Sequence, residues 1–367
     1  MPTIIHFSPG RGLLALAAVL VLVLAACVPY QPGQAPGASA TASAGQPAEE
    51  MPITTVDSAA GAPAAAAPSE AAALATSAAK ATDQHASHAA VATTEQQGNQ
   101  ELQYRLEGDV KVFDLAAQHV RWEVLPGEFI DAHAYNGQVP GPVIRVVEGD
   151  RLRVNLTNEL PEPTVIHFHG PTLPNSMDGV PDVTQQVVQP GQRFSYEFVA
   201  KPAGMFIYHT HHNAASQEPK GLYGLFIVEP TNKPTVADLE VLQVLGESGG
   251  FYLINGKAFP ATQPIEAKVG QNILVRLANL GQMPHPMHMH GHPFKIVATD
   301  GYPVPDGLAL TKDVVNIGPG ERYDLLVEAA NPGTWVFHCH ILGHVQNRGV
   351  EPGGMITVLK VAPTPAS

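Results

Sequence analysis

The sequence predicts an all-β fold built from two β domains in tandem. The chain has 367 residues, of which 34 are glycine and 34 are proline, and so many turn residues favour short strands over helices. Segments such as 152–156 and 273–279 alternate apolar and polar side chains, which is typical of strands with one buried face. Such segments also recur at matched spacing in the two halves of the chain, which indicates a duplicated domain.

The first 27 residues are typical of a bacterial export signal. Residues 13–26 form an unbroken apolar run of 14 residues, which is too short to span a bilayer comfortably. The run ends in Ala25-Ala26-Cys27, which resembles the lipobox of bacterial lipoproteins. We therefore expect export, cleavage before Cys27 and a lipid on Cys27 that anchors the protein to the cell membrane, facing the periplasm or the cell exterior. The alternative is an exported protein without the lipid.

Residues 28–100 predict a disordered linker, because alanine, proline, serine and threonine dominate and few large apolar side chains are available to form a core. Strand-like alternation begins after it. The first β domain is predicted at 101–235 and the second at 236–362, each within the size range of one domain.

Charge and cysteine content exclude two classes of protein. The formal net charge is −13, with 20 Lys+Arg against 33 Asp+Glu, and nucleic-acid binding needs clustered basic charge. We therefore expect no nucleic-acid partner. The chain has only 2 cysteines, one of them at the end of the export signal, so no internal disulfide framework is expected.

Histidine-bearing landmarks show the duplication directly. Gly149 precedes His167 by 18 residues, and Gly270 precedes His288 by the same 18. Three further segments correspond: His167-Phe168-His169 with His288-Met289-His290, Pro190-Gly191 with Pro319-Gly320, and His209-Thr210-His211 with His338-Cys339-His340.

The most informative segment is His338-Cys339-His340, with His344 five residues after the cysteine. On a strand, Cys339 points to one face while His338 and His340 point to the other. A thiolate with two imidazoles, usually with a weak axial methionine, is the ligand set of a blue-copper site. One strand therefore offers a thiolate-bound copper on one face and imidazole-bound metals on the other.

Among the candidate metal ligands, the two halves differ only at the thiolate site. Thr210 replaces Cys339, Thr164 replaces His285 and Ala215 replaces His344, while Met355 corresponds roughly to Leu225. His285 and His344 fit the thiolate site, which leaves eight histidines, four from each half. Eight imidazoles suit a cluster of copper ions, whereas a structural zinc site needs only four ligands in a closed tetrahedron.

At these four histidine clusters, residues 104–360 resemble the multicopper oxidases, the laccase-like family built from cupredoxin domains. The resemblance implies two cupredoxin-like Greek-key β-sandwich or barrel domains and four coppers per chain. It implies ligands as follows: His285, Cys339, His344 and the probable axial Met355 for the type 1 copper; His167 and His288 for the type 2 copper; His169, His209, His211, His290, His338 and His340 for the type 3 pair.

Asp178, in Met177-Asp178-Gly179, resembles the acidic residue that helps deliver protons to the cluster in this family, although an Asp-Gly turn is the alternative interpretation. The chain departs from the family in three ways. Met355 lies eleven residues after His344, where the family commonly has five, and His212 and His292 are extra histidines beside ligands. Only two cupredoxin domains are predicted, where typical laccases have three.

The resemblance implies an oxidase that takes single electrons from a phenol-like donor or a metal ion at the type 1 copper and reduces O2 to water at the trinuclear cluster. The alternatives are a copper nitrite reductase, which is expected to have a cysteine at Thr210, and a non-catalytic electron-transfer protein. Two-domain relatives place the first domain of one chain against the second domain of the next, so we expect a homotrimer with copper clusters between subunits. The donor stays open, since Met283, Met287 and Met289 also offer soft sulfur to cuprous ion.

Overall fold

The computed structural model describes residues 91–93, 97–232, 237–305 and 307–363, all of which belong to one compact unit. The export signal, Cys27 and linker residues 28–90 lie outside the described residues. The prediction of an all-β fold is confirmed, since strands make up nearly all the regular structure. Within the described residues no helix has the length and apolar character needed to cross a membrane.

Among the described residues, ten strands form the first half, followed in the chain by twelve that form the second. The first ten are β1 Val91–Thr93, β2 Arg105–Glu107, β3 Val110–Leu125, β4 Glu128–Tyr135, β5 Ile144–Val147, β6 Arg151–Asn158, β7 His167–His169, β8 Arg193–Val199, β9 Gly204–His209 and β10 Tyr223–Glu229. The others are β11 Leu239–Ser248, β12 Phe251–Ile254, β13 Ile265–Lys268, β14 Asn272–Asn279, β15 His285–Met289, β16 Phe294–Thr299, β17 Tyr302–Pro303, β18 Thr311–Lys312, β19 Val314–Ile317, β20 Arg322–Glu328, β21 Gly333–Cys339 and β22 Ile356–Ala362.

Short helices interrupt the strands near the predicted ligands. The helix α1 spans Ala214–Gln217, and 3₁₀ helices span Asn175–Met177 and Leu342–His344. Strand β1 lies inside the predicted linker, where it pairs in parallel with β3. Within the described residues, the first strand therefore lies about ten residues before the predicted boundary at residue 101.

Each half is a pair of sheets with the same topology. The first sheet runs β3-β6-β8 in one half and β11-β14-β20 in the other, while the second sheet runs β5-β10-β9-β7 and β13-β22-β21-β15. In both halves the first two strands of each series pair in parallel and the rest are antiparallel. Parallel neighbours that are distant in sequence require crossover connections between the sheets, as in Greek-key sandwiches.

The glycines of the repeated landmarks have a backbone reason to recur. Gly149, Gly191, Gly270 and Gly320 have φ values of 94°, 76°, 89° and 81°. A side chain with a Cβ atom is strained in this left-handed region, whereas glycine is not. The turns before β6, β8, β14 and β20 therefore require glycine, which sets the spacing that makes the duplication visible.

Three clusters of buried side chains form the core. One lies within the first half around Phe113 and Phe226, and one lies within the second half around Phe294 and Phe337. The third contains residues of both halves, with Trp122 and Leu225 from the first and Leu253 from the second. The two sandwiches therefore share this third apolar cluster.

Packing between the halves also changes one sequence expectation. The alternating pattern predicts a half-exposed strand at 273–279, but all residues of β14 except the first are buried. The polar Arg276 side chain is buried because it forms ion pairs with Glu240 at 2.6 Å and, across the boundary between the halves, with Glu229 at 3.8 Å. A charged side chain is buried here only because it has partners of opposite charge.

Candidate metal centre

Three predicted ligands of the thiolate site meet inside the second half. The Sγ atom of Cys339 lies 3.5 Å from Nδ1 of His344 and 3.8 Å from Nδ1 of His285, and the two Nδ1 atoms are 3.1 Å apart. Cys339 and His285 are fully buried, and His344 is 3% exposed. A thiol and two imidazoles whose donor atoms converge in this way match the equatorial donor set of a blue-copper site.

Strand pairing explains why these residues converge. β15 begins at His285 and pairs with β21, which ends at Cys339, so the two side chains come from neighbouring strands. The 3₁₀ helix that follows β21 turns the chain back, with the backbone N–H of His344 donating to the carbonyl of Ile341 at 2.8 Å. This one turn returns His344 to the cysteine within five residues.

Met355, the predicted axial ligand, lies at the same place. Its side chain is fully buried, its backbone N–H donates to the carbonyl of His344 at 2.8 Å, and its carbonyl accepts from the N–H of Cys339 at 3.1 Å. The 345–354 insert closes on itself, because the Asn347 side chain accepts from the N–H of Gly354 at 2.8 Å. The insert therefore brings Met355 back to the thiolate site despite the longer spacing. Its role as axial ligand stays a prediction.

Burial sets the protonation of this site. It raises the pKa of the Cys339 thiol to about 11 and lowers the pKa of His344 to about 4. At neutral pH the imidazole is therefore neutral and free to bind a metal, whereas the thiol keeps its proton until a metal displaces it. The donor set fits copper, for which thiolate and imidazole are preferred ligands.

A carboxylate holds the outer nitrogen of His285. Oε1 of Glu247 lies 2.7 Å from Nε2 of His285, and the backbone N–H of Gln282 donates to Oε2 at 2.8 Å. Burial alone raises the pKa of Glu247, but the hydrogen bonds from His285 and from the backbone outweigh it and the net pKa is lowered. The carboxylate is therefore ionised at neutral pH, and it fixes the His285 ring so that Nδ1 faces Cys339.

Glu247 also forms part of a cavity of about 300 Å³ that opens beside the thiolate site. Tyr252, another lining residue, stacks on His344 with ring centroids 4.0 Å apart. Met283 is 36% exposed in this cavity, whereas Met287 and Met289 are buried in the core of the second half. Of the three methionines, only Met283 is placed to meet a molecule in this cavity.

The four histidines of the first half form one group. Five pairs of rings have centroids between 5.3 and 6.2 Å apart. One donor atom from each of His167, His169 and His209 lies within 4.8 Å of the others. Burial lowers the pKa of His167 and that of His169, the latter to about 4, so both are neutral at neutral pH. We name this set the first histidine group: His167, His169, His209 and His211.

The second half contains a matching set, the second histidine group: His288, His290, His338 and His340. The same five pairs of positions are in contact, with centroids 4.9 to 5.8 Å apart. The Nε2 atoms of His290 and His338 are 3.1 Å apart. Burial lowers the pKa of His290 and of His338. Each group is therefore a set of four imidazoles whose rings lie in contact with one another.

Backbone carbonyls orient both groups in the same way. Nδ1 of His209 donates to the carbonyl of Thr210 and Nδ1 of His338 donates to that of Cys339, each at 2.8 Å. Nδ1 of His167 and Nδ1 of His288 likewise donate to backbone carbonyls, those of Asp178 and Asp313. With Nδ1 protonated, Nε2 carries the lone pair, so these four rings offer Nε2 to a metal.

The two groups are separate within one chain. Among the described residues no ring contact joins a histidine of one group to a histidine of the other. His169 instead faces a turn of the second half, where a Cβ atom on Gly320 would lie 3.4 Å from its ring. His211, His290 and His340 are exposed. A single chain thus offers two half-sites of four imidazoles each.

Asp178 lies beside the first histidine group. Its backbone carbonyl accepts from Nδ1 of His167 at 2.6 Å, and its Oδ1 is 3.5 Å from the same nitrogen. Asp313 occupies the equivalent place in the second half, with its carbonyl 2.9 Å and its Oδ2 3.9 Å from Nδ1 of His288. Sequence reasoning missed Asp313, because it lies 25 residues after His288 whereas Asp178 lies 11 after His167.

Two further features were not apparent from the sequence. Glu218 lies 2.6 Å from Nδ1 of His209, and its position follows only from the turn after α1. His292, an extra histidine beside the ligands, is buried and accepts from the backbone N–H of Asn331 through Nε2 at 3.1 Å. His292 is therefore part of the hydrogen-bonded interior, and the other extra histidine, His212, is partly buried.

The fold and the donor sets define a cupredoxin-like copper oxidoreductase. Comparisons with known proteins identify its family. Two family models, both described as multicopper oxidase, match residues 116–233 and 233–363. The chain belongs to the multicopper oxidase family.

Several relatives show how far the similarity extends. The multicopper oxidase MmcO of Mycobacterium tuberculosis is 30% identical over 255 residues, which cover 56% of this chain and 49% of MmcO, so the chain spans about half of that relative. The blue copper oxidase from Nitrosomonas europaea is 37% identical with a TM-score of 0.64, over 68% of this chain and 85% of that one. The multicopper oxidase mgLAC is 35% identical with a TM-score of 0.64, over 70% and 87% of the two chains.

Proposed function

We propose that this protein oxidises a small reducing substrate one electron at a time beside His285 and reduces O2 to water where the two histidine groups combine. Strand β21 carries the proposal, because Cys339 lies in the buried thiolate site while His338 and His340, its direct neighbours in sequence, belong to the second histidine group. Bound copper supplies the one-electron chemistry. The covalent link from Cys339 to its neighbours joins the two sites through the shortest stretch of backbone.

The chain's own residues have defined tasks in this function. Glu247 lines the cavity and holds the buried His285 ring behind it, so the cavity admits the donor to the edge of the thiolate site. Asp178 places a carboxylate next to His167, where it is positioned to hold and release protons for the reduction of O2. Burial of Cys339 and His285 keeps water from the thiolate site.

Copper analysis and turnover test this proposal. The purified protein should be blue and hold about four coppers per chain, one of type 1, one of type 2 and two of type 3. Oxygen uptake with a phenolic donor should be robust, and nitric oxide production from nitrite negligible. Robust nitrite turnover would support the nitrite reductase alternative, and a blue protein that turns over neither acceptor would be an electron-transfer protein.

A donor panel separates the possible reducing substrates. Phenols, cuprous, ferrous and manganous ions all suit one-electron oxidation. Met283 is the exposed sulfur in the cavity, so Met283→Leu should lower the rate with cuprous ion at least several-fold, with little effect on a phenol, if cuprous ion is the donor. Met289→Leu, a buried substitution of the same kind, is the matched control.

We further propose that the protein assembles as a head-to-tail homotrimer. The first histidine group of one subunit would meet the second histidine group of the next, which brings eight imidazoles together between subunits. Two observations support this arrangement: each group has exposed imidazoles, and exposed apolar side chains lie nearby. Val183, in the loop that follows Asp178, is 77% exposed, and Leu342, two residues after His340, is 65% exposed.

Complementation tests the assembly. His209→Ala and His338→Ala subunits should each be inactive alone, because every cluster lacks a ligand. After dissociation, mixing and reassembly, some interfaces regain all eight histidines and part of the activity should return. Mixing His338→Ala with Cys339→Ser subunits is the control, since both changes lie in the second half. A monomer in light scattering that keeps full activity would contradict the trimer.

Export and lipid anchoring are also proposed, on the basis of the apolar run and Cys27. Cys27→Ala should release the protein from the membrane fraction, and mass spectrometry of the wild type should find a lipidated N-terminal cysteine. A wild-type protein that is soluble after cell fractionation, with an unmodified Cys27, would contradict the anchor.

A further inference from the structure

One ligand of the first histidine group differs from its counterpart in the second half. His209 and His338 occupy equivalent positions, and each donates Nδ1–H to the carbonyl of the next residue at 2.8 Å. Of these two histidines, only His209 also lies next to a carboxylate, since Oε1 of Glu218 is 2.6 Å from its Nδ1. Among the described residues no carboxylate lies within ion-pair distance of His338.

The position equivalent to Glu218 holds a different side chain with a different task. It is Asn347, since His209 and His338 are each followed by it at nine residues. The Asn347 amide donates to the carbonyl of Phe259 at 2.7 Å and accepts from the N–H of Gly354 at 2.8 Å, so it stabilises the insert before Met355. The carboxylate is therefore specific to the first half.

Local structure holds Glu218 in place. Its backbone N–H donates to the carbonyl of Ala214 at the end of α1, and its carbonyl accepts from the N–H of Gly221 at 2.7 Å. The side chain is 25% exposed and His209 is 12% exposed, so the pair is partly shielded from solvent. The next residue, Pro219, lines the cavity beside the thiolate site.

We propose that Glu218 is a positioning residue that fixes the His209 ring and makes its Nε2 a stronger copper ligand. A carboxylate close to the Nδ1–H of an imidazole stabilises positive charge on the ring, which increases the electron density at Nε2, and it holds the ring plane. Mutation of a partner of this kind typically lowers the metal affinity 10–100-fold. His338 lacks such a partner, so the two equivalent histidines would bind copper with unequal strength. This inference rests on the proposed function, in which His209 is a ligand of the trinuclear cluster.

Copper competition on the full-length protein tests the proposal. Glu218→Gln keeps the size of the side chain and the backbone contacts of residue 218 but removes the carboxylate. Stripped protein is titrated with Cu(II) against a chelator of known affinity. We expect the affinity of the cluster to fall about 10–100-fold, while the blue absorption at the thiolate site keeps its wild-type intensity. Glu218→Ala should lose at least as much.

Controls separate this role from general effects. Glu162→Gln removes a similarly exposed carboxylate of the same half, one that faces His133 at 3.8 Å, and should leave copper affinity within two-fold of the wild type. The melting temperatures of the stripped variants should match that of the wild type. Cluster affinity within two-fold of the wild type in Glu218→Gln would overturn the proposal. If instead His209→Ala leaves the affinity unchanged, the ligand assignment and the proposed function fail.

Discussion

The two halves of the molecule fill the same interior position in opposite ways. In the second half, His285, Cys339 and His344 converge on a point suited to copper. In the first half, Thr164 and Thr210 occupy the positions of His285 and Cys339, and their hydroxyls are 3.2 Å apart. Both donate to Oε1 of Gln217, at 3.0 and 2.8 Å, and all three side chains are fully buried.

Gln217 completes this network. Its amide nitrogen donates to the carbonyl of Pro163 at 2.8 Å, and it extends from α1, the element that corresponds to the 3₁₀ helix of His344. The first half thus satisfies its buried polar groups with one another, whereas the second leaves a thiol and two imidazoles in a donor arrangement. The comparison teaches that one scaffold position either stabilises the fold or binds a metal, depending on three side chains.

The largest expected effect comes from the thiolate itself. Cys339→Ser should abolish the blue band and the oxidase activity, because a serine hydroxyl does not replace the thiolate ligand and the link to the second histidine group is lost. Copper should remain in the trinuclear cluster, which uses none of the Cys339 side chain. Absorption spectroscopy and copper analysis provide the measurement, and a variant that keeps an intense blue colour would refute the role of Cys339.

In the first half, Gln217→Ala should lower the stability of the fold, whereas Cys339→Ser in the second half affects copper binding and activity. The change removes three buried hydrogen bonds, two from the threonine hydroxyls and one to the Pro163 carbonyl, which costs about 3 kcal/mol in the free energy of unfolding. Chemical denaturation of the stripped protein measures it. Gln346→Ala is the matched control at the equivalent position of the second half, where the side chain only reaches the Gly343 carbonyl, and should change stability by about 0.5 kcal/mol or less. Equal losses of stability in Gln217→Ala and Gln346→Ala would contradict a stabilising role that is specific to the buried network of the first half.

A smaller effect is expected at Met355. Met355→Leu removes a weak axial donor, so the blue band should remain and the reduction potential of the type 1 copper should rise, since the oxidised ion loses a ligand. Redox titration followed at the blue band measures the shift. A potential equal to that of Met289→Leu, in which a buried methionine elsewhere is changed, would mean that another group is axial.

The smallest spectroscopic effect is expected from placing a cysteine in the first half. Thr210→Cys should produce no second blue band, because Thr164 and Ala215 stand where histidines are needed. Stability should fall by about 1 kcal/mol through the lost hydrogen bond to Gln217. Copper content per chain and the blue absorbance provide the check. A doubled absorbance would show that a thiol alone converts this position.

The sequence predicted the all-β fold and the histidine sets because both rest on local rules. Side-chain alternation places Cys339 on one face of β21 and its neighbours on the other, and the left-handed glycine turns keep the spacing equal in both halves. The structure brings the predicted ligands together in three groups. Met355 was harder to place, because the insert changes its spacing and only the backbone contacts to His344 and Cys339 locate it.

The residues that sequence reasoning missed act on the histidines from other elements. Glu247 reaches His285 from β11, Glu218 reaches His209 from the turn after α1, and Asp313 reaches His288 from the segment before β19. None of these carboxylates repeats at the spacing of the histidines, because each depends on how distant segments pack. Tertiary packing of this kind leaves no periodic signal in one sequence.

The core cluster shared by the halves determines how the protein unfolds. The indole of Trp122 in the first half donates to the Gly256 carbonyl of the second at 2.6 Å, and Val120 and Leu225 share a buried cluster with Leu253. Separating the sandwiches would expose this apolar surface to water, so neither half gains from unfolding alone. Heating should therefore produce one cooperative calorimetric transition, in which both histidine groups lose their geometry at the same temperature.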